Sequence, residues 1–227
     1  SSSSGSSPGS PRGSSGSASR GGPPRGSYHH GNLTEALTAA ATALARTGGP
    51  EAVVLREAAR KVGVSATAAY RHFHGHSDLK EAVKMEAQAR LSEHMRAATA
   101  AAEPLPDPAA EARRKLRAIG HGYLAFARAE PGLYRTAFCR IDKLDHDSNL
   151  EMISSPAYSL LTAVLDEMLA SGAMRPERRP FAEAVAWSNA HGLAMLIIDG
   201  PLAYFDEEVI QATIESSLDV LEAGLRT

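Results

Sequence analysis

From residue 32 onward, apolar positions recur every three to four residues, and nowhere does the chain alternate with the period of two that a half-buried strand needs. The pattern predicts an all-α protein. Leu33, Leu37, Ala40, Ala41 and Leu44 share one face of a helix over 32–46, which Gly48 and Gly49 terminate. Leu55, Ala58, Ala59 and Val62 line a second, short helix that stops at Gly63. A third runs over 65–73 with Ser65 as its N-cap, and a fourth from 78 toward 102, capped by Ser77 or Asp78. Pro104, Pro106 and Pro108 break the chain there, because proline removes a donor and clashes with the preceding turn. Helices are then expected over 109–129, 131–139, 155–171, 180–199 and 206–224. The polar stretch 140–154 reads as a loop.

The segment LREAARKVGVSATAAYRHFHGHSDL is the most specific feature of the chain. It reads as two short helices about a glycine turn, with Val64 plugging the angle between them. The second helix has an apolar side (Ala69, Phe73) and a polar side (Thr67, Tyr70, Arg71). This is a helix-turn-helix, a unit that lays its second helix in the major groove of DNA. Ser65, Ala66, Thr67 and Ala68 fall at the start of that helix, where short side chains meet base edges. Tyr70 and Arg71, with Arg56 and Lys61 on the preceding helix, have the reach and chemistry for phosphates.

VGVSATAAYRHF resembles the motif of TetR-family transcriptional regulators, and SYHHGNLTEAL resembles the opening of helix 1 in one branch. FARAEPGLYRTAF and WSNAHGLAMLIIDG add two more similarities, the latter to the Trp…His-Gly helix of that branch's C-terminal ligand domain. The resemblance covers about residues 28–225. It implies a helix-turn-helix head over 28–76 and an effector-binding, dimerising domain over 77–227. It also implies a homodimer that binds a near-palindromic double-stranded operator and is released by a small-molecule effector. By the same resemblance His72 faces DNA. His76 is an expected DNA contact as well, standing where the family usually has lysine, a change that weakens a phosphate clamp there.

Charge sharpens the division. Residues 1–80 carry nine Lys/Arg against four Asp/Glu, a net of +5, and the rest fifteen against twenty-two, a net of −7, so the chain's −2 hides a basic head and an acidic body. Residues 1–27 are almost wholly Ser, Gly, Pro and Arg, too apolar-poor to pack, and are expected to be disordered. They read either as an inert linker or as a basic arm, with Arg25 the expected DNA contact. A single cysteine, no run of about 20 apolar residues and no signal-peptide pattern lead to a cytoplasmic expectation. His29, His30, His72, His74 and His76 crowd the head, yet their spacing follows a turn, and no metal or cofactor is expected.

Polar groups among aromatics mark the expected effector site: His121, Tyr123, Phe126, Tyr134, Phe138, Tyr158, Trp187 and His191. Any one of them could equally be core. The last two predicted helices are apolar on more than one side, which calls for a second burial surface. Gly192, Ile210, Ile214, Ser217 and Leu221 are the expected dimer contacts, with one larger monomeric core as the alternative. Paired carboxylates in an apolar setting, a nucleophile elbow and a glycine-rich phosphate loop are all missing, so an enzyme is not expected. A ligandless DNA-binding activator or architectural protein remains the rival reading.

Overall fold

The computed structural model describes residues 30–141 and 155–226, with side chains from Leu33 onward. The expectations for Arg25, for His29, for the side chain of His30, for the N-terminal tail and for most of the 140–154 loop lie outside the described residues.

Nine α-helices are described: α1 His30–Gly48, α2 Leu55–Val62, α3 Ala66–Tyr70, α4 His76–Ala100, α5 Pro108–Ala129, α6 Pro131–Ala137, α7 Pro156–Ala170, α8 Ala182–Ile198 and α9 Glu207–Arg226. Short 3-10 turns follow α1 and flank α8. The described residues contain no strand. Local chemistry sets several of the boundaries. Asp107 accepts the Ala110 N–H at 2.7 Å and Ser155 the Tyr158 N–H at 3.2 Å. Pro108, Pro131 and Pro156 each open a helix, where a missing N–H costs nothing.

Two boundaries around the reading helix differ from expectation. The second helix of the helix-turn-helix ends at Tyr70, not at 73; Phe73 reaches the core from the turn that follows, its N–H bonded to the Ala69 carbonyl at 3.1 Å. Gly75, not Ser77 or Asp78, is the cap residue of α4. Asp78 instead reaches back to accept the His74 N–H at 3.0 Å.

Helices α1 to α3 form a compact head, and α4 runs from it into a body made with α5 to α9. The α4–α5 crossing is close because residue 122 is glycine: a Cβ there would sit 2.6 Å from the His94 carbonyl oxygen and 2.7 Å from the Met95 Cα. The body is tied across by ion pairs from α5 to α9, with Arg113 on Glu222 at one end and Arg128 on Glu207 at the other. Since α5 runs into α6 beside the end of α1, the Arg128 end is the head end. The C-terminus of α8 and the N-terminus of α9 therefore face the head, and both helices run along the length of the body.

Candidate DNA-reading head and effector site

The turn between α2 and α3 is built as its sequence dictates. Gly63 takes the left-handed conformation at φ +80°, and its N–H closes α2 on the Ala59 and Arg60 carbonyls. Ser65 then caps α3, its Oγ accepting the Ala68 N–H at 3.1 Å. Ala69 is fully buried and pins α3 to the head, which leaves Ser65, Thr67, Tyr70 and Arg71 exposed and Ala66 and Ala68 half-buried beside them. Arg56 and Lys61 on α2 are exposed as well. The exposed positions of α2 and α3 thus include hydroxyls and cations, with small side chains half-buried beside them.

The histidines sort differently. His72 is half-buried and its Nδ1 lies 3.0 Å from the Thr34 hydroxyl of α1, so it fastens the end of the helix-turn-helix to the head. His76 accepts the Leu55 N–H on Nδ1 at 3.3 Å, which satisfies a free donor at the start of α2. Its ring is exposed and is also part of the joint between α2 and α4. His74 points into solvent with Nδ1 3.2 Å from Asp78. Among the described residues no group of His, Cys, Asp and Glu could hold a metal ion.

In the body, five of the eight expected effector residues converge. The Tyr123 and Tyr134 hydroxyls lie 3.1 Å apart, and 2.9 and 2.7 Å from Nδ1 of His191. The two hydroxyls and the ring nitrogen thus form a closed triangle of hydrogen-bonding groups. Phe138 stands edge-on to His191 at 4.9 Å between ring centres, and Trp187 closes the other side against Tyr123 at 5.4 Å and Phe138 at 5.8 Å. Tyr158 lies beyond Trp187, at 5.9 Å. Burial keeps this cluster neutral: desolvation lowers the His191 pKa and raises those of both tyrosines.

Two expected effector residues sit elsewhere. His121 faces α9 on the surface, with Nε2 3.3 Å from Glu215. Phe126 is fully buried against α4, stacked edge-on with His94 at 5.2 Å. Successive helical positions point in different directions, so aromatics close in sequence on α5 serve different partners.

The expected dimer contacts divide as well. Ile210, Ile214 and Leu221 are buried in the chain's own core. Ser217 is half-buried and donates to Asn189 Oδ1 at 2.9 Å. Gly192 is exposed with open space around it. The outward face of α8 and α9 consists of Val185, Met195, Leu196, Val209 and Val220, all exposed, with small residues between them. Phe181, Tyr204 and Phe205 stand exposed in the turns that flank α8.

Sequence reasoning missed the setting of α6. Glu130, at its N-terminus, takes the Arg46 guanidinium of α1 at 2.7 Å. Gly132 lies so close to the end of α1 that a Cβ would come within 2.3 Å of the Ala45 carbonyl oxygen. Arg135 forks onto Asp199 at the end of α8, and the Ala137 carbonyl accepts from Gln88 of α4 at 3.0 Å. One seven-residue helix joins the head, α4 and α8. The only sequence signal for it was the Glu-Pro-Gly start, which says helix and nothing about neighbours.

A capped helix-turn-helix on a three-helix head, joined by one long helix to a larger helical body, defines a DNA-binding transcription regulator. Residues 37–83 match the family described as bacterial regulatory proteins, tetR family, and residues 116–221 match the tetracyclin repressor-like C-terminal domain. The chain belongs to the TetR family of transcriptional regulators. Among solved structures, a protein of unknown function from Rhodococcus sp. RHA1 is 26% identical, with a TM-score of 0.71 over 88% of this chain and 98% of that one. The TetR family transcriptional regulator PfmR from Thermus thermophilus shares the fold at 20% identity and a TM-score of 0.53, covering 81% and 94% of the two chains. So does the fatty acid degradation regulator FadR from Bacillus halodurans, at 16% identity and 0.60, covering 86% and 96%. No curated protein matches the chain.

Proposed function

We propose that this regulator is a homodimeric repressor that leaves a near-palindromic operator when a small molecule binds its body, with the boundary between head and body near residue 76. The observation that carries the reading is the position of α6. Its Tyr134 belongs to the polar triad on His191, and its Gly132 bears on the end of α1, so a ligand that rearranges the triad moves the element on which the head rests. The exposed surface of Ser65, Thr67, Tyr70 and Arg71 supports DNA contact, with Arg25, Arg56, Lys61, Ala66, Ala68, His72 and His76 as the further proposed contacts. Tyr123, Tyr134, Phe138, Tyr158, Trp187 and His191 form the proposed effector site.

The exposed apolar face of α8 and α9 supports the dimer. Two heads can meet one DNA face only if the two-fold axis runs along the body. That is the direction of α8 and α9, so a second copy lays the same two helices alongside in a four-helix interface. The proposed contacts are then Val185, Gly192, Leu196, Val209 and Val220, with Ile210, Ile214 and Leu221 supporting them from beneath.

No described helix is long and apolar enough to cross a membrane. The proposal is tested by selecting bound duplexes from a random library and sequencing them. Inverted repeats with half-sites about one helical turn apart are expected; enrichment of single, unrepeated sites rules the dimeric reading out.

A further inference from the structure

Phe181 stands at the start of α8 with 82% of its surface exposed. It is also the only described non-glycine residue with a positive φ, at +63°, where a Cβ crowds the backbone. A ring so exposed gains little from the chain's own core to offset that strain. The segment around it is firmly held. Arg179 reaches Asp166 of α7 at 2.6 Å and Glu183 of α8 at 2.9 Å, and the Arg175 N–H donates to the Leu225 carbonyl of α9 at 3.3 Å. Strain of this kind persists where the surroundings impose it. Beside the ring, an open groove of about 350 Å³ runs between the first turns of α8 and the last turns of α9. Pro180, Ala182, Val185, Val220 and Gly224 are among its lining, and Glu177 and Arg178 bring charges of opposite sign. Pro180 and Ala182 line the groove and Phe181, between them, does not, so the chain's own ring leaves it unfilled. Gly224 adds no side chain to it, and a Cβ there would meet nothing within 4 Å.

We infer that Phe181 of each protomer seats in this groove on a second copy of the chain. The inference rests on the dimer reading above and adds its anchor. The groove shares Val185 and Val220 with the proposed contact face, so it continues that face to the end of the body away from the head. A two-fold axis parallel to α8 and α9 leaves every residue at its own height along the body. The start of α8 therefore meets the second copy at the height of the end of α9, where the groove lies. The contact is isologous: each ring enters the other copy's groove, so it is made twice. Aromatic rings seated in pockets are among the side chains that dominate interface energetics. The left-handed turn then has a role. It carries the ring clear of its own protomer, and a turn already fixed leaves little beyond the ring's own torsions to be ordered on association.

Sedimentation equilibrium of the full chain tests this through the dimer dissociation constant. Phe181→Gly should raise that constant at least about tenfold, a difference of about 1.4 kcal/mol, and Phe181→Tyr should keep it. In a monomeric Val185→Asp, Val220→Asp background, Phe181→Gly should leave the melting temperature unchanged or raise it, because glycine accepts the positive φ without strain. A residue that merely supports the fold would not weaken the dimer while sparing the monomer. Gly224→Leu, which has open space in the protomer, should fill the groove and weaken the dimer as well. Combined with Phe181→Gly it should cost no more than Phe181→Gly alone, since both changes remove one contact. A dimer constant unchanged by Phe181→Gly overturns the inference while the dimer reading stands, and leaves the groove to a foreign partner. Losses that add, or a monomer destabilised by Phe181→Gly, overturn it too. A parent chain that sediments as a monomer removes both readings.

Discussion

At the scale of single residues, the head carries both its function and one flaw. Arg71 is exposed at the end of α3, and Arg71→Ala should weaken operator binding and lower its salt slope by about one. Tyr70→Ala should weaken binding with the slope kept, since tyrosine neutralises no phosphate. Titrations at several salt concentrations distinguish the two. The flaw is Thr42, whose hydroxyl is buried in α1 without a hydrogen-bond partner. Thr42→Val should therefore stabilise the protein by about 1 kcal/mol, read from the urea midpoint. His191 has a pH consequence. Desolvation lowers its pKa in the folded protein, so below the usual value of 6.5 the unfolded chain takes up a proton that the folded chain resists. Stability is complete above about pH 6.5 and falls as the solution is acidified from there. His191→Gln should remove part of that acid loss, so melting temperatures of parent and variant should converge between pH 7 and 5. Parallel curves would mean that the ring is not held neutral by burial.

Among the elements, α6 is the most constrained for its length. Both its ends and its middle are fixed to other helices, by Arg46 on Glu130, Arg135 on Asp199 and Gln88 on the Ala137 carbonyl. Gly132 sets the spacing to α1 against backbone atoms, which cannot turn aside as a side-chain end can. Gly132→Ala should thus destabilise the protein by about 1–3 kcal/mol despite the helix propensity that alanine adds. Gly192→Ala, which meets nothing within 4 Å, is the control and, measured in a monomeric Val185→Asp, Val220→Asp background that removes the proposed dimer contact, should be neutral to slightly stabilising. Urea unfolding of both variants checks the pair, and similar shifts would show that α6 is not seated tightly on α1.

For the whole molecule, the division between buried and exposed apolar residues on α9 decides how it assembles. Ile214 is 2% exposed and Val220 is 69% exposed on the same helix. Val185→Asp combined with Val220→Asp should give a folded monomer by sedimentation and abolish operator binding, because each head alone holds only half a site. Ile214→Asp should instead unfold the body, by burying an unpaired charge. A dimer that survives the double change would move the interface elsewhere.

Much of this was legible in the chain. Period-of-3.6 patterning, prolines and small capping residues placed nearly every helix within a few residues, because those signals act over one turn of backbone. The Gly63–Ser65 turn marked the reading helix for the same reason. What the sequence by itself could not determine is which side of a two-sided helix meets which neighbour. Ile210 and Val209 are adjacent and both apolar, yet only one is buried, and His121, Tyr123 and Phe126 look alike in sequence although they face a surface carboxylate, the polar triad and α4. Direction around a helix is set by packing among elements distant in sequence. The tertiary structure alone therefore decided that Tyr134 and His191, fifty-seven residues apart, share a hydrogen bond, and that a glycine at 132 couples their helix to the head.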